Sequence, residues 1–543
     1  MKKIGLLVCS LLMQPVIAQK LTDKFDTLLW EMFKEDTPGA VALVAKGNTI
    51  LYRKAFGMAN LELGVKMKPE NVFRIGSITK QFTAAAILKL RDEGKLNLDH
   101  DITKYVEDYP THGHHITVQQ LLTHTSGIKN YTEMAAWDEE VRKKDFTPEE
   151  FIDFFKNQAM DFKPGEDWRY SNSAYFILGH IIEVVSGMSY EEYIEKTFFE
   201  PLNMTNSYYG STSRIIKDRA SGYNKRGTEL LNADYISMTQ PYASGSLVST
   251  VDDLYKWCSA VMRDEVIRKA SRKEAHTTYK LNNGEKTGYG YGWSIGNIQG
   301  SPMLFHDGGM IGYLTIAMYL PEEEIFVAVF SNCNCNPPRD LAMKMAALAV
   351  GKPYDWKPIP LSNDALREYA AVYGSDNEEQ RNITFEDGQL FSFRNAGRKF
   401  KIVPYGKDMF FFDGGMTTLQ FNRNATGEIV SFTSKSTGYD TELKRTDKPI
   451  LFIEKIKVDQ ATTDKYLGKY QLSPSFIISI FKEGSKMYAQ GTGQRRIEIF
   501  PFENNKFVYV DIDCKLTFNM GENGKAHSLT VHQLGDHDAK KIE

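Results

Sequence analysis

The residues most able to do chemistry in this 543-residue chain stand in the tetrad Ser77-Ile78-Thr79-Lys80. A serine hydroxyl is a weak nucleophile until a neighbouring base takes its proton, and a lysine whose pKa is lowered by burial is such a base. Two further Ser-x-x-Lys tetrads, 126–129 and 479–482, fall in a glycine-containing loop and in a strand. Only Ser77 opens a predicted helix, in which residues three apart share a face. We therefore predict Ser77 as the nucleophile and Lys80 as its base.

The segment Arg169-Tyr170-Ser171-Asn172 supplies a second pair of candidates. A turn at 163–165 places Tyr170 on a loop just before a predicted helix. A loop tyrosine can approach Ser77 and carry its proton with the help of the lysine. Asn172 can donate to a substrate carbonyl and accept from an amide or ammonium group. We predict a catalytic tyrosine and a substrate-binding asparagine; without the tetrad they would be interpreted as an aromatic anchor and a helix cap.

A third candidate element is His306-Asp307-Gly308-Gly309, which leads into an apolar strand. Glycines let a substrate lie close against the edge of a strand. A backbone N–H of this element and that of Ser77, at the start of a helix, could together form an oxyanion hole. The histidine and the two glycines are therefore predicted to bind substrate, with the imidazole contacting either the substrate or Tyr170. The alternative is a glycine-rich hairpin with an incidental histidine.

These candidates are carried by a unit that mixes helices and strands and ends at a proline-rich segment, 353–361. Apolar periodicity and the stop signal at Gly187 mark its helices. Short apolar runs on either side of turn residues mark its strands. The sequence predicts helices over 77–91 and 174–185, and strands over 41–45, 49–53, 314–319 and 326–330.

Beyond residue 362 the pattern changes to short alternating strands that repeat at a constant offset of 97 residues. Tyr369 and Tyr373, for example, match Tyr466 and Tyr470. Two copies of one antiparallel β domain explain the offset, and each copy is predicted to be a small closed barrel, lipocalin-like, or a sandwich. The predicted domains are a signal peptide over 1–18, a catalytic domain over 19–352, and β repeats over 362–447 and 459–543.

The three candidate elements resemble those of the serine β-lactamase and penicillin-binding-protein superfamily. The resemblance is to the branch similar to class C β-lactamases, D-aminopeptidases and related esterases, and it covers about residues 25–350. It implies an α/β catalytic domain in which helices cover an antiparallel sheet, with a helical subdomain. Further segments that look like this branch are 121–128, 170–172, 200–204, 244–250 and 289–293.

The resemblance also implies a role for each candidate residue. Ser77 would be the nucleophile, Lys80 its base and Tyr170 the proton shuttle. Asn172 would contact the substrate amide, and the N–H of Gly309 would complete the oxyanion hole with that of the nucleophile.

The chain departs from much of the superfamily in its third element, which is commonly Lys-Thr-Gly. Lys286-Thr287-Gly288 has those letters but precedes the segment 289–293, whereas in the family the third element follows it. His306-Asp307-Gly308 takes the place instead. Lysine is a fixed cation near pH 7 and suits a carboxylate, whereas a histidine with its ordinary pKa of about 6.5 is largely neutral there. We therefore expect weak recognition of a β-lactam carboxylate or of a C-terminal D-Ala.

These observations predict a serine hydrolase that works through an acyl-enzyme, and the resemblance implies above all a D-amino-acid-specific peptidase, aminopeptidase or amidase. A small-ester hydrolase or weak β-lactamase stays open, as does a penicillin-binding protein or sensor that deacylates slowly. A third alternative is an envelope interaction protein whose β repeats do the work. The partner would be a small peptide, amide or ester substrate, and no cofactor is expected.

Composition narrows the partners further. Hydrophobic residues make up 42% and charged residues 25% of the chain, which excludes a disordered or fibrous protein. The net charge of −3 offers no attraction to a polyanion, so no nucleic-acid partner is expected. His112, His114 and His115 have no carboxylate or cysteine at a ligand spacing, so no metal site is predicted. The sequence leaves the oligomeric state open.

The N-terminus predicts export. Lys2 and Lys3 precede the apolar run 4–13, and Ala18 stands before Gln19 at a plausible cleavage site. We expect a periplasmic or extracellular protein without a stable membrane span, since no later apolar run approaches 18 residues.

Four cysteines would stay after cleavage: Cys258, Cys333, Cys335 and Cys514. Cys333 and Cys335 are predicted to be too close in sequence to bridge each other comfortably. Mostly buried free thiols are therefore expected.

Overall fold

The chain divides into two compact units between Pro353 and Tyr354. The predicted signal peptide over 1–18 lies outside the residues that the structure describes. None of the helices that it does describe is both long enough and apolar enough to cross a bilayer. The structure, a computed structural model, describes residues 20–374, 380–394, 399–436, 440–450, 456, 458–473, 476–492, 496–510, 514–532 and 536–543.

Thirteen described strands belong to the first unit, and they confirm the strands predicted there. They are β1 (Ala40–Lys46), β2 (Thr49–Phe56), β3 (Met58–Asn60), β4 (Val65–Lys66), β5 (Phe73–Arg74), β6 (Tyr208–Tyr209), β7 (Tyr223–Arg226), β8 (Glu229–Asn232), β9 (Leu247–Ser249), β10 (Ser294–Ile298), β11 (Ser301–Met310), β12 (Tyr313–Leu320) and β13 (Ile325–Ser331). Six of them form one antiparallel sheet in the order β10-β11-β12-β13-β1-β2. In β1 every residue but the last is buried, which is typical of a central strand covered on both faces.

Helices pack against this sheet and supply most of the hydrophobic core of the first unit. The predicted helix that begins near Ser77 is confirmed, with the serine on a 3-10 turn, Gly76–Ile78, that leads directly into it. The second predicted helix is confirmed as well and ends at Gly187, whose φ of 72° is left-handed. The helices of this unit are α1 (20–32), α2 (Thr79–Asp92), α3 (Val118–Leu122), α4 (Glu139–Arg142), α5 (Pro148–Phe155), α6 (Asn172–Ser186), α7 (Tyr190–Ile194), α8 (Tyr242–Gly245), α9 (Val251–Met262), α10 (Lys269–Ala275) and α11 (Arg339–Ala349).

The second unit contains two closed barrels of eight antiparallel strands each. The predicted fold class, an α/β catalytic domain followed by two small β-barrels, is therefore confirmed. A short helix precedes each barrel: α12 (Asn363–Arg367) and α13 (Gln460–Asp464). The first barrel comprises β14 (Ala371–Gly374), β15 (Gln380–Glu386), β16 (Gln389–Arg394), β17 (Phe400–Gly406), β18 (Met409–Phe412), β19 (Thr418–Arg423), β20 (Ile429–Lys435) and β21 (Asp440–Thr446). The second comprises β22 (Gly468–Ser473), β23 (Phe476–Glu483), β24 (Lys486–Gly491), β25 (Ile497–Glu503), β26 (Lys506–Tyr509), β27 (Lys515–Met520), β28 (Ala526–His532) and β29 (Asp536–Lys541).

The tyrosines that repeat at the 97-residue offset make the same hydrogen bond in both barrels. Tyr373 lies in the core of the first barrel and donates its hydroxyl to the carbonyl oxygen of Tyr369 at 3.0 Å. Tyr470 lies in the core of the second and donates to the carbonyl oxygen of Tyr466 at 2.7 Å. A buried phenol needs such a partner, and here the neighbouring turn of chain supplies it.

The cysteine prediction is wrong for one pair. Cys333 and Cys335 form a disulfide, and their Cα atoms lie 5.1 Å apart. The chain leaves β13 in a turn in which the Ser331 hydroxyl accepts from the N–H of Cys333 at 3.3 Å. That turn separates the two Cα atoms by a distance within the normal range for disulfides. Cys258 and Cys514 are not part of a disulfide, as expected.

Candidate active site

Lys80 lies in the first turn of α2, and its side chain is fully buried. Its Nζ lies 3.1 Å from Ser77 Oγ, 2.8 Å from Asn172 Oδ1 and 2.8 Å from the carbonyl oxygen of Ser244. Burial lowers the pKa of this amine well below its ordinary value. A neutral amine has two N–H donors and one lone pair. The oxygens of Asn172 and Ser244 can accept from the two N–H groups, and the Ser77 hydroxyl can donate to the lone pair.

Ser77 is held against β11 by close backbone packing at glycines. Gly76 has a φ of 51°, and a Cβ there would lie 2.8 Å from the backbone nitrogen and oxygen of Gly309. A Cβ at Gly308 would lie 2.0 Å from the carbonyl oxygen of the residue before Gly76. Side chains at these positions would force the serine turn away from the strand. The serine is half-buried and Gly309 is exposed, so solvent reaches the place where the two meet.

The part of β11 that lies against this turn has an open edge. β10 pairs with β11 only as far as Phe305. From His306 to Met310, β11 is paired with β12 on its other side. The open edge offers backbone groups to an extended substrate, as in recognition by strand addition.

Tyr170 lies on the loop before α6, with Lys80 Nζ 4.7 Å from the centre of its ring. Its hydroxyl is buried and makes no hydrogen bond of ordinary geometry to the described residues. Burial raises the pKa of the phenol, and the nearby Ser77 side chain partly opposes that rise. The structure therefore brings hydroxyl, amine and phenol into one cluster and leaves the phenol uncommitted.

Asn172 is the first residue of α6 and joins the lysine to the helix start. Its Oδ1 accepts from Lys80 at 2.8 Å, and its backbone N–H donates to Asn130 Oδ1 at 3.2 Å. Its Nδ2 makes no hydrogen bond within the described chain and is free to donate to a substrate carbonyl. The cap of α6 is Ser171, whose Oγ accepts from the N–H of Ala174 at 3.2 Å. The asparagine is therefore not occupied as a helix cap.

His306 is buried, and protein groups occupy both of its ring nitrogens. Nδ1 lies 2.7 Å from the carbonyl oxygen of Asp307, and Nε2 lies 2.9 Å from the Tyr289 hydroxyl. A carbonyl only accepts, so Nδ1 carries the proton and Nε2 accepts from the tyrosine. Burial, as the largest cause, lowers the pKa of His306 to about 3, so the ring is neutral at pH 7. It makes no hydrogen bond to Tyr170, because Tyr289 holds it; the two ring centres are 6.2 Å apart.

His124 is a residue of the site that the sequence analysis did not single out. Its Nδ1 accepts from the N–H of Ser171 at 3.1 Å, and its carbonyl oxygen accepts from the N–H of Arg169 at 3.0 Å. Its ring lies 4.4 Å from that of Tyr170. The histidine thus holds the chain on both sides of the tyrosine and packs against the tyrosine itself. Burial lowers its pKa well below the ordinary value, so it acts as a neutral acceptor.

The segment 121–128 contained this histidine, but a spacing pattern does not tell a buried ring from an exposed one. The same holds for the Ser244 carbonyl and for Tyr289, whose contacts depend on chain segments that are distant in sequence.

Lys286 does not join the site. It lies on an exposed hairpin, where its backbone pairs with that of Lys280 in an isolated β-bridge. The third element of the site is therefore the stretch of β11 that begins at His306. No cluster of His, Cys, Asp or Glu that could hold a metal occurs among the residues described.

Known proteins resemble this chain in sequence and in fold. The family described as Beta-lactamase matches residues 18–352. Penicillin-binding protein 4* of Bacillus subtilis is 29% identical over 398 residues, which are 68% of this chain and 86% of that protein. The octameric penicillin-binding protein homologue from Pyrococcus abyssi has a TM-score of 0.54 and 26% identity, covering 88% of this chain and 98% of its own. A D-stereospecific amidohydrolase from Streptomyces sp. has a TM-score of 0.53 and 25% identity, covering 60% and 98%.

The family match spans more than half of the chain and contains every candidate residue of the site. The solved structures are matched over nearly their whole lengths. The chain therefore belongs to the Beta-lactamase family and is a serine hydrolase.

Proposed function

We propose that Ser77 forms an acyl-enzyme with D-amino-acid amides or short peptides and that water then releases the acid. Lys80 acts as the base and Tyr170 as the proton relay. The observation that supports this most is the environment of the lysine: a fully buried amine with its lone pair available to the Ser77 hydroxyl. Acyl transfer needs such a base, because an unactivated serine does not attack an amide.

The lysine can take the proton because two acceptors bind its N–H groups. Asn172 Oδ1 and the Ser244 carbonyl each lie 2.8 Å from Nζ. Both are neutral, so neither stabilises an ammonium ion as a carboxylate would. When the amine takes the serine proton, the charge that appears is transient and drives the proton onward to the leaving group.

The phenol of Tyr170 is suited to that onward step. It is neutral in the resting site, because burial raises its pKa, and its hydroxyl is not committed to another group. It can donate its own proton to a leaving amine and take the proton of the Lys80 ammonium in return, which leaves both groups neutral again. The negative charge on the substrate oxygen would meet the N–H groups of Ser77 and Gly309.

The substrate class is inferred from the neutral third element. His306 presents no charge at pH 7, so this residue offers no cation to a substrate carboxylate. Gly308 and Gly309 leave room for a substrate backbone along β11, and Asn172 Nδ2 can hold its carbonyl. A structurally similar protein is named a D-stereospecific amidohydrolase. These points favour an amide or peptide of a D-amino acid over a β-lactam or a peptide that ends in free D-Ala.

A second candidate is a penicillin-binding protein that deacylates slowly. The sequence relation to Penicillin-binding protein 4* of Bacillus subtilis favours it. A small-ester hydrolase or weak β-lactamase uses the same machinery with another acyl donor. For the location we propose export, on the basis of the N-terminal segment 1–18.

A panel of matched D- and L-aminoacyl amides, 4-nitrophenyl esters and nitrocefin tests the proposal. Steady release of acid from D-amides at a higher kcat/KM than from L-amides is expected. Turnover of L-amides alone would contradict it. A stoichiometric burst without steady release would favour the slowly deacylating protein, and hydrolysis of esters alone would favour the esterase.

A further inference from the structure

Arg74 is a cation near the nucleophile in the chain, and it has no counter-ion within residues 20–374, all of which the structure describes. It ends β5, three residues before Ser77, and is paired with Val248 of β9. Its guanidinium lies 5.9 Å from the centre of the Tyr313 ring, and the side chain is half-buried. Burial lowers the pKa of Arg74, and the charge of Arg219 lowers it further, while Tyr313 and Tyr235 oppose the shift.

A second unpaired cation lies beside it. Arg219 is exposed, and its backbone pairs with that of Val72, two residues before Arg74, in an isolated β-bridge. Asp218 and Asp234 are aspartates in the same stretch of chain as Arg219. Within residues 20–374, all of which the structure describes, neither carboxylate lies within ion-pairing distance of either arginine. Two like charges held together without a carboxylate repel each other, so an anion from outside would relieve the repulsion.

Arg74 lies near the end of β11 that is formed by Met310, next to β12. Tyr313, which packs against Arg74, is paired with Met310 across the turn from β11 to β12. The Tyr313 hydroxyl donates at 2.6 Å to the carbonyl oxygen of Ala220, next to Arg219. His306 lies at the other end of the open edge of β11. Along β11, the neutral His306 and the strand end near Arg74 therefore lie on opposite sides of Gly309.

We propose that Arg74 and Arg219 form a subsite for a carboxylate of the substrate, at the Met310 end of the cleft. This subsite rests on the proposed function, since its ligand is part of an acyl donor bound at Ser77. The substrate class then narrows to amides, peptides or esters that carry an anionic group beyond the reacting carbonyl. Tyr235, half-exposed beside the arginines, supplies a hydroxyl that can donate to the same anion.

Packing alone does not account for Arg74. A guanidinium stacked on Tyr313 gains from contact with the ring, but an apolar side chain of similar length would fill the same space without a desolvated charge. In many proteins such a buried charge is paired. The substrate carboxylate would be the missing partner, and a guanidinium binds it through two parallel hydrogen bonds.

The test compares an acyl donor with its neutral counterpart. The first pair is the mono-4-nitrophenyl ester of glutaric acid and 4-nitrophenyl pentanoate, which differ in a terminal carboxylate on the acyl side. The second is 3-carboxy-4-nitrophenyl acetate and 4-nitrophenyl acetate, which differ on the leaving-group side. Arg74→Met should lower kcat/KM for one anionic ester by at least about tenfold, mainly through KM, and change its neutral partner less than about twofold. Arg74→Lys should restore part of the loss, and Arg219→Gln should give a smaller loss of the same kind.

Arg226→Gln is the matched control, because it removes an exposed arginine of the same unit, on β7. If it lowers activity on the anionic ester as much as Arg74→Met does, general charge and not a subsite is responsible. An equal loss on neutral and anionic esters in Arg74→Met would overturn the subsite in favour of a purely structural role. So would the absence of any preference for a carboxylate in both pairs.

A binding measurement separates this failure from failure of the proposed hydrolysis. Phenylboronic acid and 4-carboxyphenylboronic acid bind a reactive serine without turnover. The carboxylated compound should bind the unmodified protein more tightly, and Arg74→Met should abolish the difference. Equal affinities would count against the subsite even where the neutral esters are hydrolysed normally.

Discussion

The Ser-x-x-Lys pattern occurs in the catalytic unit and again in the second barrel, and the two copies behave differently. In the first unit, Lys80 Nζ lies 3.1 Å from Ser77 Oγ and is buried. In the barrel, Ser479 and Lys482 lie on β23, and the lysine donates to Asp464 Oδ1 at 2.5 Å. Residues three apart share a face of a helix but lie on opposite faces of a strand.

The same four-residue pattern can supply a base only where it lies on a helix and where no carboxylate holds the lysine in its charged form. An aspartate stabilises the charged form of Lys482 and removes its use as a base. The third copy agrees: Lys129, three residues after Ser126, donates to Asp161 Oδ1 at 2.9 Å. Of the lysines in the three tetrads, only Lys80 is fully buried and forms no ion pair with a carboxylate among the described residues.

The largest expected effect comes from breaking the first copy while leaving the second intact. Ser77→Ala and Lys80→Met should each lower kcat/KM by at least about a thousandfold, because they remove the nucleophile and its base. Ester hydrolysis followed by absorbance measures the loss. Ser479→Ala and Lys482→Met, the matched changes in the barrel, should leave kcat/KM within about twofold. A comparable loss from the barrel variants would contradict the comparison.

The second prediction contrasts two buried tyrosines. Tyr170→Phe should lower kcat by about 10² to 10⁴ and leave the free energy of unfolding nearly unchanged, because the lost hydroxyl makes no hydrogen bond of ordinary geometry to the described residues. Tyr373→Phe should leave kcat unchanged and cost about 1 kcal/mol, because its hydroxyl donates to Tyr369. Parallel kinetics and urea unfolding measure both. A stability loss without a kinetic loss in Tyr170→Phe would mean that this phenol is structural.

A smaller effect is expected at His124, a positioning residue. His124→Leu removes the acceptor for the Ser171 N–H and should lower kcat by about tenfold to a hundredfold, with KM changed much less. His124→Asn should recover much of that activity, since its Oδ1 can accept the same hydrogen bond. Asparagine also tolerates the left-handed backbone, φ 60°, at this position. Equal loss in both variants would mean that the aromatic packing and not the hydrogen bond positions Tyr170.

The smallest effect concerns pH and stability. The pKa of His276 and that of His306 are lowered from 6.5 to about 3 by burial. As pH falls below 6.5, these two histidines become protonated in the unfolded chain but stay neutral in the folded protein until near pH 3. The free energy of unfolding therefore falls between pH 6.5 and pH 3. Between pH 7.5 and 5.0, protonation of each histidine in the unfolded chain should lower the free energy of unfolding by about 2 kcal/mol. In urea unfolding at a series of pH values, His276→Gln should reduce the loss by about that amount.

Much of the scaffold could be predicted because its signals are local. The helix after Ser77 shows in its apolar pattern and the helix before Gly187 in its stop residue. The two barrels show through a fixed offset, since equivalent tyrosines such as Tyr373 and Tyr470 fill equivalent cores. The position of the third element on β11 could also be predicted, from its order along the chain.

What could not be predicted depends on contacts between distant segments. The Ser244 carbonyl reaches the lysine from 164 positions along the chain. His124 holds the Tyr170 loop across 47 positions. The pairing of Cys333 with Cys335 depends on a turn geometry that sequence separation does not reveal. The lack of a counter-ion for Arg74 within residues 20–374 likewise depends on how distant segments are placed.

The most direct test of the central claim is to trap the acyl group and find the atom that carries it. The protein is mixed with 4-nitrophenyl acetate, quenched in acid within milliseconds, digested and mapped by mass spectrometry. The account predicts one acetyl group on Ser77, at a labelling rate that rises with pH through a pKa well below the ordinary value for lysine and that collapses in Lys80→Met. Acetylation at another residue, or a rate at Ser77 that does not depend on Lys80, would contradict it.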